Sequence, residues 1–240
     1  MSRGAVQRAL VRLAGSAAAR PLRAVADRAL AGRRAVVRVR SGNARGARLE
    51  LDLARERAYW LGHYEPEIQA FLAAHVRPGQ VVYDVGAHVG FHAVGAACLG
   101  AEVHAFEPVA ASASRLRRNA ELNALPLHVH EAAAWDDDGG VAAMGGYEGR
   151  EARFEPGGSV RSVSLDAFAD RHPDPHLVKL DVEGAELRVL TGARRLVERA
   201  RPVVLFELHD PRTLDAIHAT LGGYRLEDVG PHQLAAFPPD

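Results

Sequence analysis

Three charged residues in the segment LVKLDVEGAELRVLTGA are spaced so that they could act together: Lys179, Asp181 and Glu183. They alternate along an apolar run that reads as a strand, so their side chains are expected on one side of it. Burying three charges on a central strand is costly unless they serve a site. The spacing therefore predicts catalytic residues here, with the Asp181 carboxylate acting as a base, orienting an acceptor or holding the amino group of a cofactor.

A further candidate base follows the next strand, PVVLFEL, whose tip carries Glu207 and His209. Successive strands of such a sheet are usually spatial neighbours, so these residues are expected near Asp181. The unperturbed pKa of histidine, about 6.5, suits proton transfer at neutral pH. His209 is predicted as a catalytic residue, with the alternative that it caps the following helix left open.

An earlier strand runs into glycines in VVYDVGAHVGFHAVG. Gly86 would let the chain turn, Gly90 would let the next helix approach a ligand, and Ala87 between them is small. The G-x-x-x-G spacing differs from the G-x-G-x-x-G dinucleotide fingerprint, so a pyrophosphate cradle is disfavoured. Asp84 would repel a phosphate but suits an amine. Asp84, Gly86, Ala87 and Gly90 are predicted to bind a cofactor at the carboxyl end of this strand.

The next two strands add polar and small residues at their ends. Glu107 lies twenty-one residues after Gly86, where a carboxylate can accept hydrogen bonds from a ribose diol. Glu131 and Ala132 end the third strand, EAAAWDDDG, and are predicted to border a flat purine. His128 and the neighbouring histidine at 130 share one face of that strand. No third ligand is near them in sequence, so no metal site is predicted.

These residues must be positioned by a regular alternation of strands and helices. From residue 79 onward, apolar strands alternate with helices, which predicts a parallel sheet covered on both faces. The helix after the charged strand is expected over 184–199, another over 211–221, and an acidic, Gly-rich insertion with short strands over 136–164. YRLEDV and QLAAF are expected to close the chain as a strand pair.

The chain is predicted to have three parts: an N-terminal arm over 1–33, a hairpin and helix over 34–78, and the main domain over 79–240. Residues 1–40 hold ten arginines and one acid, whereas the other 200 residues hold twenty basic and twenty-nine acidic side chains. The arm reads as a basic amphipathic helix that packs on the domain or contacts a membrane surface. The acidic body, with 6% aromatic residues, disfavours nucleic acid as a partner.

The composition sets further limits on the class of protein. With 48% hydrophobic and 25% charged residues, the chain is expected to fold as a globular protein. A lone cysteine, Cys98, excludes an intramolecular disulfide framework. No run approaches the roughly 18 apolar residues of a membrane-spanning helix. The expected location is cytoplasmic.

Four segments together resemble the FkbM family of S-adenosylmethionine-dependent methyltransferases. They read D-V-G-A-x-x-G, F-E-P, V-K-x-D-V-E-G-A-E-x-x-V-L-x-G-A and P-V-V-L-x-E-x-H, within about residues 60–210. The resemblance implies a Rossmann-like class I sheet of seven strands with the last antiparallel, and S-adenosyl-L-methionine at the carboxyl ends of the first strands. Members usually carry Asn where this chain has His88, and an aromatic or hydroxyl residue near His92.

The resemblance also implies the reaction, which is commonly methylation of an oxygen. The predicted function is O-methylation of a hydroxyl on a small-molecule or sugar (glycan) acceptor. Two alternatives are kept: a non-catalytic module that binds a partner or membrane on a methyltransferase-like fold, and a nicotinamide-dependent oxidoreductase. The glycine spacing opposes the second. The oligomeric state does not follow from the sequence.

Overall fold

Seven strands form one mixed sheet in a computed structural model that describes residues 32–138, 141–144, 153–156 and 160–239. The strands are β3 (Val81–Val85), β4 (Glu102–Phe106), β5 (Leu127–His130), β10 (Leu177–Leu180), β11 (Val203–Glu207), β12 (Arg225–Gly230) and β13 (Gln233–Phe237). Their order across the sheet is β12-β13-β11-β10-β3-β4-β5. β13 runs antiparallel to both of its neighbours, and the other pairs are parallel. The predicted seven-stranded sheet with its last strand antiparallel is confirmed.

The strand order reverses at β3. The chain moves from β3 to β4 and β5 on one side, and the later strands β10 and β11 add on the other side. Ligands of open α/β sheets bind in the crevice at such a reversal, outside the carboxyl ends of the strands. The register places Lys179 of β10 opposite Asp84 of β3. Two residues singled out from the sequence therefore meet at this point.

Helices and a hairpin cover the two faces of the sheet. The first face carries β1 (Arg34–Arg38), β2 (Arg48–Asp52), α1 (Arg57–Leu61), α2 (Pro66–His75), α3 (Phe91–Cys98) and α4 (Ala110–Asn123). The second face carries α5 (Leu165–Ala169), α6 (Glu186–Thr191), α7 (Arg194–Ala200) and α8 (Leu214–Leu221). Each face buries its own apolar cluster because neighbouring side chains of a strand point to opposite sides. None of the helices in the described part of the chain is long and apolar enough to cross a membrane.

The N-terminal hairpin joins the core of the sheet. Leu49 and Leu51 of β2 are fully buried in the same cluster as Val103 of β4. Asn119 on α4 ties the two parts together, since its Oδ1 accepts from the Glu50 amide at 2.6 Å and its Nδ2 donates to a carbonyl in the turn before α3 at 2.8 Å. The hairpin predicted from the sequence is present and is part of one continuous core. The predicted arm over 1–33 lies almost wholly outside the described residues.

Two details of the fold differ from the sequence predictions. The helix expected over 184–199 is wrong as a single element, because it divides into α6 and α7 at Gly192. A Cβ at Gly192 would lie 2.0 Å from the carbonyl oxygen of Trp135, so the chain comes too close there for a side chain. The helix expected over 211–221 begins with a 3₁₀ turn, Pro211–Thr213. The insertion over 136–164 contains the short strands β7 (Val141–Met144), β8 (Arg153–Pro156) and β9 (Ser162–Val163), preceded by β6 (Ala133–Ala134).

Candidate active site

A cavity of about 390 Å³ opens at the carboxyl ends of β3, β4 and β10. It is called the site cavity below. Eight predicted site residues line it: Asp84, Gly86, Ala87, Glu107, Ala132, Lys179, Asp181 and Glu183. Three others do not: Gly90, Glu131 and His209. The sequence motifs therefore converge on one cavity, and the exceptions have separate structural reasons.

The turn after β3 is shaped by two residues in the left-handed region. Gly86 has φ +80°, and a Cβ there would lie 1.8 Å from the carbonyl oxygen of Asp181. This glycine is required both by its conformation and by the close approach of the segment after β10. His88 has φ +50°, a conformation that Asn adopts more readily than most residues. This backbone conformation explains why the family that the chain resembles usually carries Asn at this position.

Gly90 serves packing between helices. It has φ +89° and precedes α3, and a Cβ there would lie 2.1 Å from the side chain of Leu116 on α4. Gly90 does not line the site cavity, and its predicted contact with a cofactor stays a prediction beside this close helix contact. This glycine holds α3 against α4 and so fixes the start of α3 beside the site cavity.

Glu107 joins two loops at the end of β4. Its Oε2 accepts from the His88 amide at 2.8 Å, and its Oε1 accepts from the Val109 amide at 2.8 Å. Burial of the side chain, which is 5% exposed, raises the pKa of Glu107 to about 7 against the opposing effect of these two hydrogen bonds. Each carboxylate oxygen keeps acceptor capacity for a further donor. The geometry is compatible with the predicted ribose contact and also shows a structural role.

Lys179 lies buried between two carboxylates. Its Nζ is 3.2 Å from Oδ1 of Asp84 and 3.6 Å from Oδ2 of Asp181. Burial disfavours the ammonium charge, but Asp84, Asp181 and Glu65 outweigh it and raise the pKa of Lys179. The other oxygen of Asp84 is buried without a hydrogen-bond partner. Lys179 is therefore a fixed cation inside a site where carboxylates outnumber it.

The sequence predictions missed the wall contributed by the segment around α1 and α2. Glu65, with φ +41°, holds His92 of α3 through a 2.8 Å contact between Oε2 and Nε2. Burial opposes the charge of Glu65, yet His92 and Lys179 together hold its pKa below the usual range. Tyr59 stacks on Phe91, with ring centroids 5.0 Å apart, and lines the site cavity. In the sequence, this wall was indicated only by the difference from the FkbM family near His92, where members usually carry an aromatic or hydroxyl residue.

Glu183 does not follow the predicted alternation. β10 ends at Leu180, and Glu183 has φ +53° in the turn that follows. Lys179 and Asp181 therefore stay on the first face of the sheet, while the Glu183 carboxylate turns to the ring of His209 at 3.4 Å. The predicted alternation holds for Lys179 and Asp181 and is lost at Glu183, where the backbone enters the left-handed region.

His209 lies among carboxylates. Its Nδ1 contacts Oε1 of the buried Glu186 at 2.7 Å, and its Nε2 faces Glu183. The hydrogen bond to Glu186, against the effect of burial, raises the pKa of His209 to about 9. This pKa lies above the reference value near 6.5, so the surrounding carboxylates favour the protonated imidazolium at neutral pH. Ligand atoms of Asp181, Glu207 and His209 nevertheless lie within 4.8 Å of one another.

The third strand places its small residues, but not its acid, at the site cavity. Glu131 is half-exposed and pairs with Arg117 at 2.9 Å, so it points away from the predicted purine position. Ala132 and the residues up to Trp135 line the wall. The predicted flat, apolar border is present without the carboxylate.

This strand order, with a carboxylate-rich cavity at the reversal, defines a class I methyltransferase fold. The chain belongs to the family of the methyltransferase FkbM domain, whose model matches residues 84–226, more than half of the sequence. The resemblance stated from the four motifs is confirmed. The assignment supports S-adenosyl-L-methionine as the cofactor and gives no support to the nicotinamide alternative.

Individual relatives are distant. The chain is 28% identical over 163 residues to the hexuronic acid methyltransferase AglP of Haloferax volcanii, covering 62% of this chain and 65% of that protein. The crystal structure of a methyltransferase FkbM from Methylobacillus flagellatus matches with a TM-score of 0.49 and 17% identity, over 78% of this chain and 60% of that one. A precorrin-6Y C5,15-methyltransferase from Geobacter metallireducens matches with a TM-score of 0.48 and 15% identity, over 73% and 88%. The chain spans less than two thirds of the first two.

Proposed function

We propose that this protein transfers a methyl group from S-adenosyl-L-methionine to a hydroxyl oxygen of a small molecule or sugar. The observation that carries the proposal is the excess of carboxylates around Lys179. Asp84, Asp181 and Glu65 outnumber its one ammonium and raise its pKa. Over the whole lining of the site cavity, six acidic side chains, Glu107 among them, stand against four basic ones, which are Lys179, Arg34, Arg55 and Arg115. An excess of negative charge favours a cationic ligand, and the cofactor carries both a sulfonium and an ammonium.

The residues of the first two strands fit this cofactor. The unpartnered oxygen of Asp84 and the net negative surroundings suit its amine, and Glu107 can accept from its ribose hydroxyls. Ala132 and its neighbours offer an apolar surface to its adenine. When bound, the cofactor supplies a methyl group that is already activated. The protein then has to orient the acceptor and take its proton.

Asp181 is the group best placed to take that proton. Lys179 and His209 are both protonated at neutral pH because of their carboxylate neighbours. His209 is also absent from the wall of the site cavity. The Asp181 side chain is 25% exposed, lines the site cavity and keeps acceptor capacity beside Lys179. It can accept the hydroxyl proton as the oxygen takes the methyl group.

The acid excess also favours a neutral acceptor. The archaeal relative is named for a hexuronic acid, which offers both hydroxyls and a carboxylate for methylation. Arg34 and Arg55 also line the site cavity, but a carboxylate acceptor would still have to approach Asp181, where like charges repel. A carboxylate also needs no base. A hydroxyl acceptor explains why a partly exposed carboxylate lines the site cavity.

Product chemistry tests the proposal. The full chain is incubated with methyl-labelled S-adenosyl-L-methionine and a metabolite extract, and in parallel with neutral sugars and matched uronic acids. Labelled products are identified by mass and then treated with mild alkali. We expect alkali-stable methyl ethers, which fail to form with Asp181→Asn. Alkali-labile methyl esters would overturn the hydroxyl assignment, and labelled cofactor without product in every arm would favour a non-catalytic module.

The remaining expectations from the sequence stay predictions. A cytoplasmic location and peripheral membrane contact through the basic arm both depend on residues or partners outside the site cavity. Neither of them is needed for the proposed reaction.

A further inference from the structure

A group of imidazoles lies on the second face of the sheet, opposite the site cavity. β4 and β5 pair so that His104 lies beside His128. Glu102, two residues before His104 on β4, shares its face because side chains alternate along a strand. These three residues are called the β4–β5 cluster. The register creates this group from two separate segments of sequence.

The spacing of the β4–β5 cluster matches the edges of a metal site. Nε2 of His104 and Nε2 of His128 each lie 3.4 Å from Oε1 of Glu102. A tetrahedral ion with bonds of about 2.0–2.1 Å places its ligand atoms roughly 3.3–3.4 Å apart. The three atoms all lie within 4.8 Å of one another. The rings of His104 and His128 stack with centroids 4.9 Å apart, so one ion could bind all three residues once the exposed ring of His128 turns and both Nε2 lone pairs meet at the ion.

His104 supplies a second, independent observation. The residue is 3% exposed, and its Nε2 is buried without a hydrogen-bond partner. A buried polar atom left unpaired costs free energy, so such atoms usually have a partner. Its other nitrogen, Nδ1, lies 3.1 Å from Nε2 of His130. With Nδ1 as the donor in that contact, Nε2 presents a lone pair toward Glu102 and His128.

Ring stacking does not account for that nitrogen. Phe168 of α5 stacks on His172 with ring centroids 3.8 Å apart, and His130 packs edge-on against Phe168 at 4.6 Å. Those contacts explain why histidines and a phenylalanine gather under α5. They engage ring faces and edges, and they leave Nε2 of His104 without a hydrogen bond, facing Oε1 of Glu102 at 3.4 Å.

We propose that Glu102, His104 and His128 bind a Zn²⁺ ion, with the fourth position open to water. Two imidazoles and one carboxylate are a ligand set that zinc accepts, and imidazole ligands in general suit zinc, copper, iron and nickel. His130 acts as a positioning residue, because a partner on the second ring nitrogen fixes the orientation of a ligating histidine. Glu102 and His128 are partly exposed, so the ion can enter from solvent.

The position of the ion determines its effect. Glu102 begins β4, whereas the site cavity lies at the carboxyl ends of the strands and on the other face. The metal is therefore too far from the reacting atoms to take part in methyl transfer. It would link the edge strand β5 to β4. An ion that binds the folded chain and not the unfolded chain stabilises the fold by mass action.

Zinc binding to the full chain tests the proposal. Chain treated with EDTA and then freed of it is titrated with ZnCl₂ by calorimetry, and thermal unfolding is followed with and without zinc. We expect one ion per chain and a higher Tm with zinc. His128→Ala and Glu102→Gln should weaken zinc affinity by at least about tenfold, which is the lower bound even for loss of an outer partner. Both side chains are partly exposed, so the variants should unfold near the wild-type Tm in EDTA.

Two controls locate the ion. His63→Ala removes an exposed histidine outside the cluster and should leave zinc binding unchanged. His209→Gln removes a ligand from the other candidate group, Asp181 with Glu207 and His209, and should also leave it unchanged. Co²⁺ should give the visible absorption of a tetrahedral site in wild type and lose it in His128→Ala. Zinc binding that survives His128→Ala and Glu102→Gln, or no zinc binding by the folded wild type, would overturn the proposal.

Discussion

Two regions of the molecule place histidines in opposite electrostatic surroundings: the turns after β10 and β11, and the pair of strands β4 and β5. In the first, His209 lies between Glu183 and Glu186, and the hydrogen bond to Glu186 raises its pKa to about 9. In the second, burial and neighbouring imidazoles lower the pKa of His104 and of His130 to about 4. The same side chain is a cation in one region and a neutral imidazole in the other. The neighbours decide the role of a histidine, so residue type alone is a weak guide to function.

The largest loss of turnover is expected at Asp181, among the carboxylates at the carboxyl ends of the strands. Asp181→Asn removes the proposed base while keeping the shape of the side chain. Turnover should fall by roughly a hundred- to ten-thousandfold, the usual contribution of general base catalysis. The measurement is steady-state turnover on the identified acceptor, with S-adenosylhomocysteine affinity measured by calorimetry. Loss of affinity with little loss of turnover would assign Asp181 to cofactor binding alone.

Glu183→Gln is the matched control for that variant. Glu183 lies two residues further along the same segment and lines the site cavity, but its carboxylate faces His209. Its turnover should fall far less than that of Asp181→Asn. Equal losses of turnover in the two variants would mean that turnover depends on the total negative charge at the carboxyl ends of the strands and not on one base at position 181.

The second effect concerns the carboxylate at the end of β4. Glu107→Ala should weaken S-adenosylhomocysteine binding by about ten- to a hundredfold, because charge-assisted hydrogen bonds contribute roughly 1.5–3 kcal/mol. Part of the loss would come from freeing the His88 and Val109 amides. Glu131→Ala, whose side chain pairs with Arg117, should bind normally. Unchanged affinity in folded Glu107→Ala would remove this residue from the cofactor site.

The pH dependence of cofactor affinity tests whether the ionised carboxylate of Glu107 binds the cofactor. The pKa of Glu107 is raised to about 7 in the free protein, and ribose hydroxyls would donate better to the ionised carboxylate. Binding should therefore be tightest above pH 7 and weaken by up to about tenfold for each unit below it. Calorimetry with S-adenosylhomocysteine across pH 5.5–8.5 measures this. Glu107→Gln should show no such dependence, and a flat wild-type profile would contradict the assignment.

The sequence predicted the site cavity well because its residues occupy contiguous motifs at strand ends. Asp84 lies in the last two residues of an apolar strand, whereas Gly86, Glu107 and Asp181 directly follow one. Parallel strands bring their carboxyl ends to one edge. The β4–β5 cluster could not be predicted in this way. It depends on the register between two strands, which places His104 beside His128. The sequence alone left the histidine at 128 without a third ligand.

Two further features of the site could not be predicted from the sequence. The left-handed turn at Glu183 ended the alternation that grouped it with Lys179, and a strand pattern does not reveal where a strand stops. The Glu65–His92 pair joins α3 to the segment before α2, and a helix pattern does not show which loop will cover it. Contacts between distant segments, rather than element types, were what the sequence could not supply.

The smallest effect on turnover is expected at His209, where the raised pKa of a histidine among carboxylates can be tested directly. The imidazolium contributes stability that is fully present below its unfolded pKa of about 6.5 and is lost as the pH rises through about 9. The free energy of unfolding of the wild type should therefore fall over that interval relative to His209→Gln. Gln can still donate one hydrogen bond to Glu186 but carries no proton to lose.

Turnover of His209→Gln should stay within about threefold of wild type, a difference of less than 1 kcal/mol in the barrier. Denaturant unfolding at pH 6, 7.5 and 9, together with turnover at pH 7.5, measures both quantities. A large loss of turnover with an unchanged stability profile would restore His209 as a candidate base and would mean that the carboxylates around it do not hold its proton.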